Sequence, residues 1–202
     1  MKKIILDLCG GTGAWSKPYR DAGYDVRLVT LPERDVRLYQ PPENVYGILA
    51  APPCVMFSYA RSTAKTDRDF RGAMEIVNAC LRIIQECLYK AWDNHNIHSF
   101  KFWSLENPAR SYLSRFLGEP YFKFNPCDFG DRWTKQTGLW GWFDIPQINP
   151  VELTDRELRV KKVNSSKRLS QIPLSIRRGL TQSEQRAITP PGFAKAFFEA
   201  NQ

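Results

Sequence analysis

The chain has 202 residues, with 29 Lys and Arg against 21 Asp and Glu, a formal charge of +8. That length allows one full domain, or one domain with a small appendage, and excludes two large ones; it is long enough to fold without a disulfide or metal. Hydrophobic residues at 43% and charged residues at 25% exclude a disordered chain, and 13% aromatics beside a basic balance suit a surface that meets phosphates and bases, although many small proteins are basic for no such reason.

In chain order, the run from Lys3 to Leu8 reads as a buried strand, because Asp7 interrupts it too early for a signal peptide. Cys9-Gly10-Gly11-Thr12-Gly13 follows, then a helix over about Ala14–Ala22, stopped by Gly23. Asp25 to Thr30 alternates as a second strand, and Val45 to Ala51 is a third, buried strand ended by Pro52-Pro53. Strand, glycine turn, helix and strand in this order predict a parallel sheet with crossover helices. The longest predicted helix is Arg68–Trp92, where Ile76, Val77, Cys80, Leu81, Ile84, Cys87 and Leu88 keep a three- and four-residue step. Cys80 and Cys87 lie in that stripe as small apolar residues. Phe100–Leu105 reads as a strand closed by Glu106-Asn107-Pro108, Ser111–Leu117 as a short helix, and Phe122–Phe124 and Thr137–Phe143 as further strands. Between Pro146 and Gln185 periodic apolar residues thin out while Arg156, Arg159, Lys161, Lys162, Lys167, Arg168, Arg177 and Arg178 accumulate. Ile188 to Gly192 reads as a turn and Phe193–Ala200 as a closing helix.

No stretch approaches the ~20 apolar residues of a membrane span. The five cysteines are odd in number, scattered and without a CxxC pair, which speaks against a disulfide framework or a zinc knuckle and for a reducing cytosol. His95 and His98 are the only histidines and have no further ligands nearby, so no metal site is expected.

Three clusters carry chemistry. Asp7 to Gly13, between a strand and a helix, is a turn whose glycines let backbone approach a ligand and whose helix N-terminus favours an anion. It is neither GxGxxG nor a P-loop, so a nucleotide-like cofactor and a plain tight turn both remain open. Cys54, set at a strand end by two rigid prolines, is either a nucleophile or an inert core thiol; Arg61, Lys65 and Arg68 follow closely as charges that could lower its pKa. Glu106, also at a strand end, is either an acid on the same sheet edge or a glutamate in solvent.

Taken together and in this order, the clusters resemble the DNA cytosine-5 methyltransferases, especially their short, phage-like members. The glycine turn is similar to that family's first motif, Pro53-Cys54 with Phe57-Ser58 to its nucleophile motif, and Glu106-Asn107 to its Glu-Asn-Val motif. Cys127-Asp128-Phe129-Gly130-Asp131, Lys135-Gln136-Thr137-Gly138-Leu139-Trp140 and Pro190-Pro191-Gly192-Phe193-Ala194 resemble later segments, so the likeness covers about residues 3–143 and 186–200.

The resemblance implies a doubly wound, mostly parallel α/β sheet of the S-adenosylmethionine-dependent methyltransferase type. It implies S-adenosylmethionine as cofactor, held by Asp7, Cys9, Gly11, Gly13, Asp35 and Pro53, and catalysis by Cys54 and Glu106. Ser58, Asn107, Arg132 and Lys135 would meet the substrate, double-stranded DNA, with the target base out of the stack. The sequence departs from the family where Val29-Thr30-Leu31-Pro32 lacks an acid for the ribose, where Pro108 replaces Val, and where the Gln-x-Arg-x-Arg segment and the large target-recognition region are not evident. The expected organisation is a catalytic core over 1–145, a small basic substrate-facing segment over 146–185 and a closing helix over 186–202 that packs back on the core. The loop from Ser58 to Asp69 is expected to close over the flipped base. A cytoplasmic monomer without metal or membrane association is expected. A weak or inactive DNA-binding relative, and the same chemistry on RNA or a pyrimidine nucleotide, remain as alternatives.

Overall fold

The computed structural model describes residues 2–61, 64–93, 99–155, 157, 174 and 178–202. The elements are β1 (Ile4–Leu8), α1 (Lys17–Asp21), β2 (Asp25–Val29), β3 (Val45–Ala50), α2 (Phe70–Asp93), β4 (Phe102–Pro108), α3 (Ser114–Leu117), β5 (Phe122–Phe124), β6 (Thr137–Trp142), α4 (Gln182–Ala187) and α5 (Pro191–Ala200). The strands form one sheet in the order β2-β1-β3-β4-β6-β5. β1 pairs in parallel with β2 and β3, and β3 with β4; β6 runs antiparallel to both β4 and β5. The fold is therefore α/β with a mostly parallel sheet, in which β6 alone is reversed. The chain leaves β1 toward β2 on one side and returns as β3 on the other. That puts the switch point, where open sheets bind ligands, between the carboxyl ends of β1 and β3.

Both faces of the sheet are covered, which is why β1 and β3 read as nearly continuous apolar runs. Leu6, Leu8, Ile48, Ala50 and Leu105 face Val77, Cys80, Ile83, Ile84 and Cys87 of α2. Ile5, Leu49, Phe102 and Leu139 face Tyr19 of α1 and Phe193 and Phe197 of α5. The stripe read from the sequence is the buried face of α2, and Cys80 and Cys87 are core residues there.

Several boundaries differ from the sequence reading, each for a local reason. α1 starts at Lys17, not near Ala14, because Gly13 takes φ +68° and the Ser16 hydroxyl is bound to the Asp7 carboxylate. β2 ends at Val29, one residue short of Thr30. α2 starts at Phe70, because the Asp69 carboxylate accepts the Gly72 N–H (2.8 Å) and so caps the helix. α3 keeps only its last turn, since Ser111 bridges Ser58 instead. α5 gains Pro191, whose fixed φ suits the first helical position. β4 runs to Pro108, so Glu106 and Asn107 lie within the strand rather than after it.

The later segments meet as one structural unit. Asn125 and Asp128 form a capping box on the short turn Pro126–Phe129, and Gly130 ends it at φ +89°. The Asp131 carboxylate then accepts the Gly192 N–H (2.9 Å) at the start of α5. Phe193 stacks on Phe124 with centroids 4.1 Å apart. Asn149 N–H and Val151 N–H donate to Asp128 O and Cys127 O, which starts the following segment along this turn. Of the eight basic residues named above between Arg156 and Arg178, only Arg178, exposed, falls among the described residues; His95 and His98 lie outside them. Among the described residues no helix is long and apolar enough to cross a membrane, and no three His, Cys, Asp or Glu cluster as metal ligands.

A Cβ on Gly192 would fall 2.0 Å from the Phe129 carbonyl oxygen, a backbone atom that cannot swing away. Gly192→Ala is therefore expected to destabilise the fold by about 1–3 kcal/mol, as overpacking does, read as a lower midpoint in urea unfolding.

Candidate active site

β3 and β4 run side by side in parallel, but β3 stops where Pro52 and Pro53 have no N–H to donate. β4 continues three residues past its last pairing with β3, carried by Glu106↔Leu139, Asn107↔Gly138 and Pro108↔Thr137 with β6. Asn107, fully buried, ties the two ends together by donating its Nδ2 to Pro52 O at 3.0 Å. After Pro53 the chain turns tightly, with the N–H groups of Phe57 and Ser58 both donating to Cys54 O (3.0 and 2.8 Å). Phe57 is wholly buried and packs on Phe70 and Phe116, which fixes the turn. Cys54 thus sits half-buried at the end of β3, beside the end of β4 that bears Glu106.

Because β6 is reversed, the residues that precede it lie at this same edge. Gln136 O accepts the Ala109 N–H (3.1 Å) and Lys135 O accepts the Thr137 hydroxyl (2.8 Å). Lys135 Nζ lies 3.3 Å from Glu106 Oε1, and both side chains are mostly buried. Burial raises the Cys54 thiol above its ordinary range, the Glu106 charge raises it further, and the Lys135 ammonium opposes both. The three groups form one electrostatic unit.

The glycine turn lies across the switch point. Cys9, Gly11 and Gly13 all have positive φ (57°, 54° and 68°), and nothing lies within 4 Å of a Cβ built on Gly11. Gly10 is required for another reason: its Cβ would collide with the Asp7 carboxyl, 2.1 Å from Oδ1. Asp7 is fully buried, and burial pushes its pKa up to about 6 against the Ser16 hydrogen bond and the Arg20 charge. Its Oδ1 has no hydrogen-bond partner among the described residues. A turn of exposed backbone with a buried acceptor beneath it fits a ligand that brings an N–H. Ser16 and Arg20 escaped the sequence reading; a hydroxyl three residues after Gly13 was the available signal.

Other nominated residues are engaged differently. The Cys9 thiol turns into the core, where a hydrogen bond from Cys80 holds its pKa down, so only its backbone remains for a ligand in the turn. Asp35 lies within electrostatic reach of Cys9 but is paired with Arg37 (2.6 Å). Arg132 does not reach Glu106: it forms a two-point ion pair with Glu157 (2.7 and 2.8 Å). Ser58 is held in its bridge to Ser111. The cation that faces Cys54 is Lys135 and not the loop charges expected from the sequence. Arg61 donates to Thr66 O (2.9 Å), Arg68 to the carbonyls of Met56 (2.6 Å) and Ser58 (3.0 Å), and Lys65 is exposed. These arginines brace the loop on itself.

The chain matches no protein-family model and no curated relative. Among solved structures it is similar to a crystal structure of a DNMT2 mutant from Spodoptera frugiperda, at 16% identity and a TM-score of 0.39 over 68% of this chain and 49% of that one. The chain spans about half the length of that protein. A likeness this loose adds nothing to the site, whose reading rests on its own residues.

Two measurements probe these environments. Alkylation of Cys54 followed by peptide mass spectrometry across pH should give an apparent pKa above the ordinary thiol range; Glu106→Gln should lower it and speed alkylation several-fold, and Lys135→Met should do the reverse. For Asp7, the folded-state pKa of about 6 exceeds the ordinary 3.8. The folded state therefore favours the protonated form, and this contribution to stability is lost as pH rises from about 4 through about 6. Asp7→Asn should be nearly neutral at the acid end and more stable than wild type above pH 7 by about 3 kcal/mol, measured by urea unfolding at both pH values.

Proposed function

We propose that this chain is an S-adenosylmethionine-dependent methyltransferase that acts on C5 of cytosine in DNA. The observation that carries this reading is the convergence of Cys54, Glu106 and Lys135 at the carboxyl ends of β3 and β4, beside the open glycine turn after β1. A thiol nucleophile and a carboxyl group held side by side are what conjugate addition to a pyrimidine requires.

Asp7, the backbone of Cys9, Gly11 and Gly13, Asp35 and Pro53 would hold the cofactor. The unpartnered Oδ1 of Asp7 and the open space over Gly11 fit such a group. When bound, S-adenosylmethionine supplies an electrophilic methyl group. The chain's own residues do the rest. Cys54 gives up its proton to the Glu106 carboxylate beside it, and its sulfur bonds to C6. The C5–C6 π pair shifts to make C4–C5 the double bond, the C4–N3 π pair withdraws onto N3, and N3 takes a proton held by Glu106. C5, made nucleophilic by these two residues, would be the acceptor of the methyl group that the bound donor would supply, leaving as a thioether. Glu106 recovers the N3 proton, C5 loses its own proton to solvent, and the C5–C6 double bond re-forms as the Cys54 sulfur leaves. Lys135 holds the Glu106 carboxyl in place and offsets its charge beside the forming thiolate. Asn107, bonded to Pro52, sets the spacing between the two catalytic groups.

The raised thiol pKa gives the site a coupling. The Glu106 charge raises the Cys54 thiol, so a base whose N3 engages Glu106 would lessen that effect. The nucleophile is thereby favoured by the substrate it attacks. Arg178 and the basic residues around it would meet the DNA backbone, neutralising phosphates in a salt-dependent manner. The segment over 146–185 is proposed as the substrate-facing part of the chain. A second reading, a weak or inactive DNA-binding relative, is favoured by one observation: β2 ends at Val29-Thr30 without an acid, while Asp35 is paired with Arg37.

The decisive experiment supplies S-adenosylmethionine labelled in its methyl group with mixed-sequence duplex DNA and digests the product to nucleosides. Label is expected in 5-methylcytosine, abolished by Cys54→Ala and reduced roughly 10²–10⁴-fold by Glu106→Gln. Absence of label together with absence of cofactor binding would overturn the enzyme and favour the second reading. Label in RNA or in a free nucleotide instead would retain the chemistry and replace the substrate.

A further inference from the structure

A second surface borders Cys54, and the methyl-transfer scheme leaves it unused. Tyr59 opens a short helical turn, Tyr59–Arg61, directly after the Cys54–Ser58 turn. Tyr59 is 45% exposed, and its ring stands edge to face with Tyr112, centroids 4.8 Å apart at 84°. The bridge between Ser58 and Ser111 and the bond from Tyr112 N–H to Phe57 O (2.9 Å) hold the two tyrosines at the edge that carries Cys54 and Glu106. Guanidinium groups lie over the Tyr112 ring: Arg68 at 4.9 Å and Arg115 at 5.2 Å. Phe57 and Phe70 pack beneath, so the platform is rigid.

Phe116, packed on Phe70, is about half exposed, and Arg115 over Tyr112 is exposed; Val55 and Arg110, a few residues away in sequence, are exposed too. The acidic groups nearby are Asp67, exposed, and Asp69, whose carboxylate already serves the Gly72 N–H. Exposed aromatic faces framed by arginines suit a flat ring attached to a phosphate, the composition of single-stranded nucleic-acid platforms. A greasy protein partner would not call for the arginines.

We propose that Tyr59, backed by Tyr112 and framed by Arg68 and Arg115, is a stacking site for an unpaired nucleobase that neighbours the target on the same strand. Naming the strand rests on the reading of Cys54 and Glu106 given above; the stacking chemistry does not. The site makes an unpaired flank part of what the protein recognises. Tyr59 is a binding residue with no part in the bond-making steps.

The test measures binding of the full chain, without cofactor, to labelled cytosine-containing oligonucleotides by fluorescence anisotropy. Three forms are compared: single strand, duplex with a mismatch beside the cytosine, and fully paired duplex. The two unpaired forms are expected to bind roughly tenfold tighter than the paired one. Tyr59→Ala should remove that preference, Tyr59→Phe should keep it, and Arg115→Ala should reduce the salt slope by about one. 2-Aminopurine placed beside the cytosine should be quenched by wild type and by Tyr59→Phe, and not by Tyr59→Ala. Equal affinity of Tyr59→Ala and wild type for all three forms would overturn the proposal. So would an equal loss in Tyr59→Phe and Tyr59→Ala, because stacking needs no hydroxyl. Tyr59-dependent binding without methyl transfer would sink the enzyme reading and leave this one. Methyl transfer with unchanged binding in Tyr59→Ala would do the opposite.

Discussion

The bond from Asn107 Nδ2 to Pro52 O is the constraint on which the site depends. Two prolines end β3 while β4 runs on, so at this edge the backbone ladder between them is gone. A buried side-chain amide takes over the ladder's function for one more step. Without it the Cys54 turn would be free to move away from Glu106, and the distance between thiol and carboxyl would be set by loop motion. Burial strengthens the tie, because an unmet Pro52 carbonyl and an unmet Asn107 amide would both be left in a dry interior. The rest of the site follows: Phe57 fixes the turn from below, and β6 brings Lys135 to Glu106.

The closing helix contributes from a distance. Asp131 caps α5, Gly192 lets the backbone of α5 approach Phe129, and Phe193 enters the aromatic core between Phe124, Phe129 and Trp15. Trp15 belongs to the segment just after the glycine turn. The helix end, the residues before β6 and the proposed cofactor turn therefore share one packed layer. Motifs far apart in the sequence travel together because they touch.

Much of the fold was legible because its signals are local. The buried runs of β1 and β3, the stripe of α2 and the proline stop after Ala51 each follow from period and composition over a few residues. The juxtaposition of Cys54 and Glu106 was legible from topology, since parallel strands end at one edge. What escaped depended on pairing over long separations. The reversal of β6 is not written in Thr137–Trp142 itself, and it decides that Lys135, 81 positions from Cys54 in the sequence, supplies the local cation. Arg61 and Arg68 are nearer in sequence, but loop carbonyls and Thr66 claim them. Arg132 and Lys135 looked equivalent, and a partner at Glu157 separates them. The Cys9 thiol turned inward because positive φ at a non-glycine residue redirects its side chain, which spacing does not reveal.

The reversed strand has a consequence for how such a site can diversify. In a wholly parallel sheet every residue at the active edge follows a strand, so each is coupled to the helix that comes next. Here one contributor, Lys135, precedes its strand, on the connection from β5 that also carries Asp131 and Gln136 to their partners. A change at Lys135 alone can retune the charge beside the thiol while the parallel framework and its crossovers stay as they are. The molecule thus keeps its reactive pair on parallel strands and the cation that adjusts it on the connection before the reversed one.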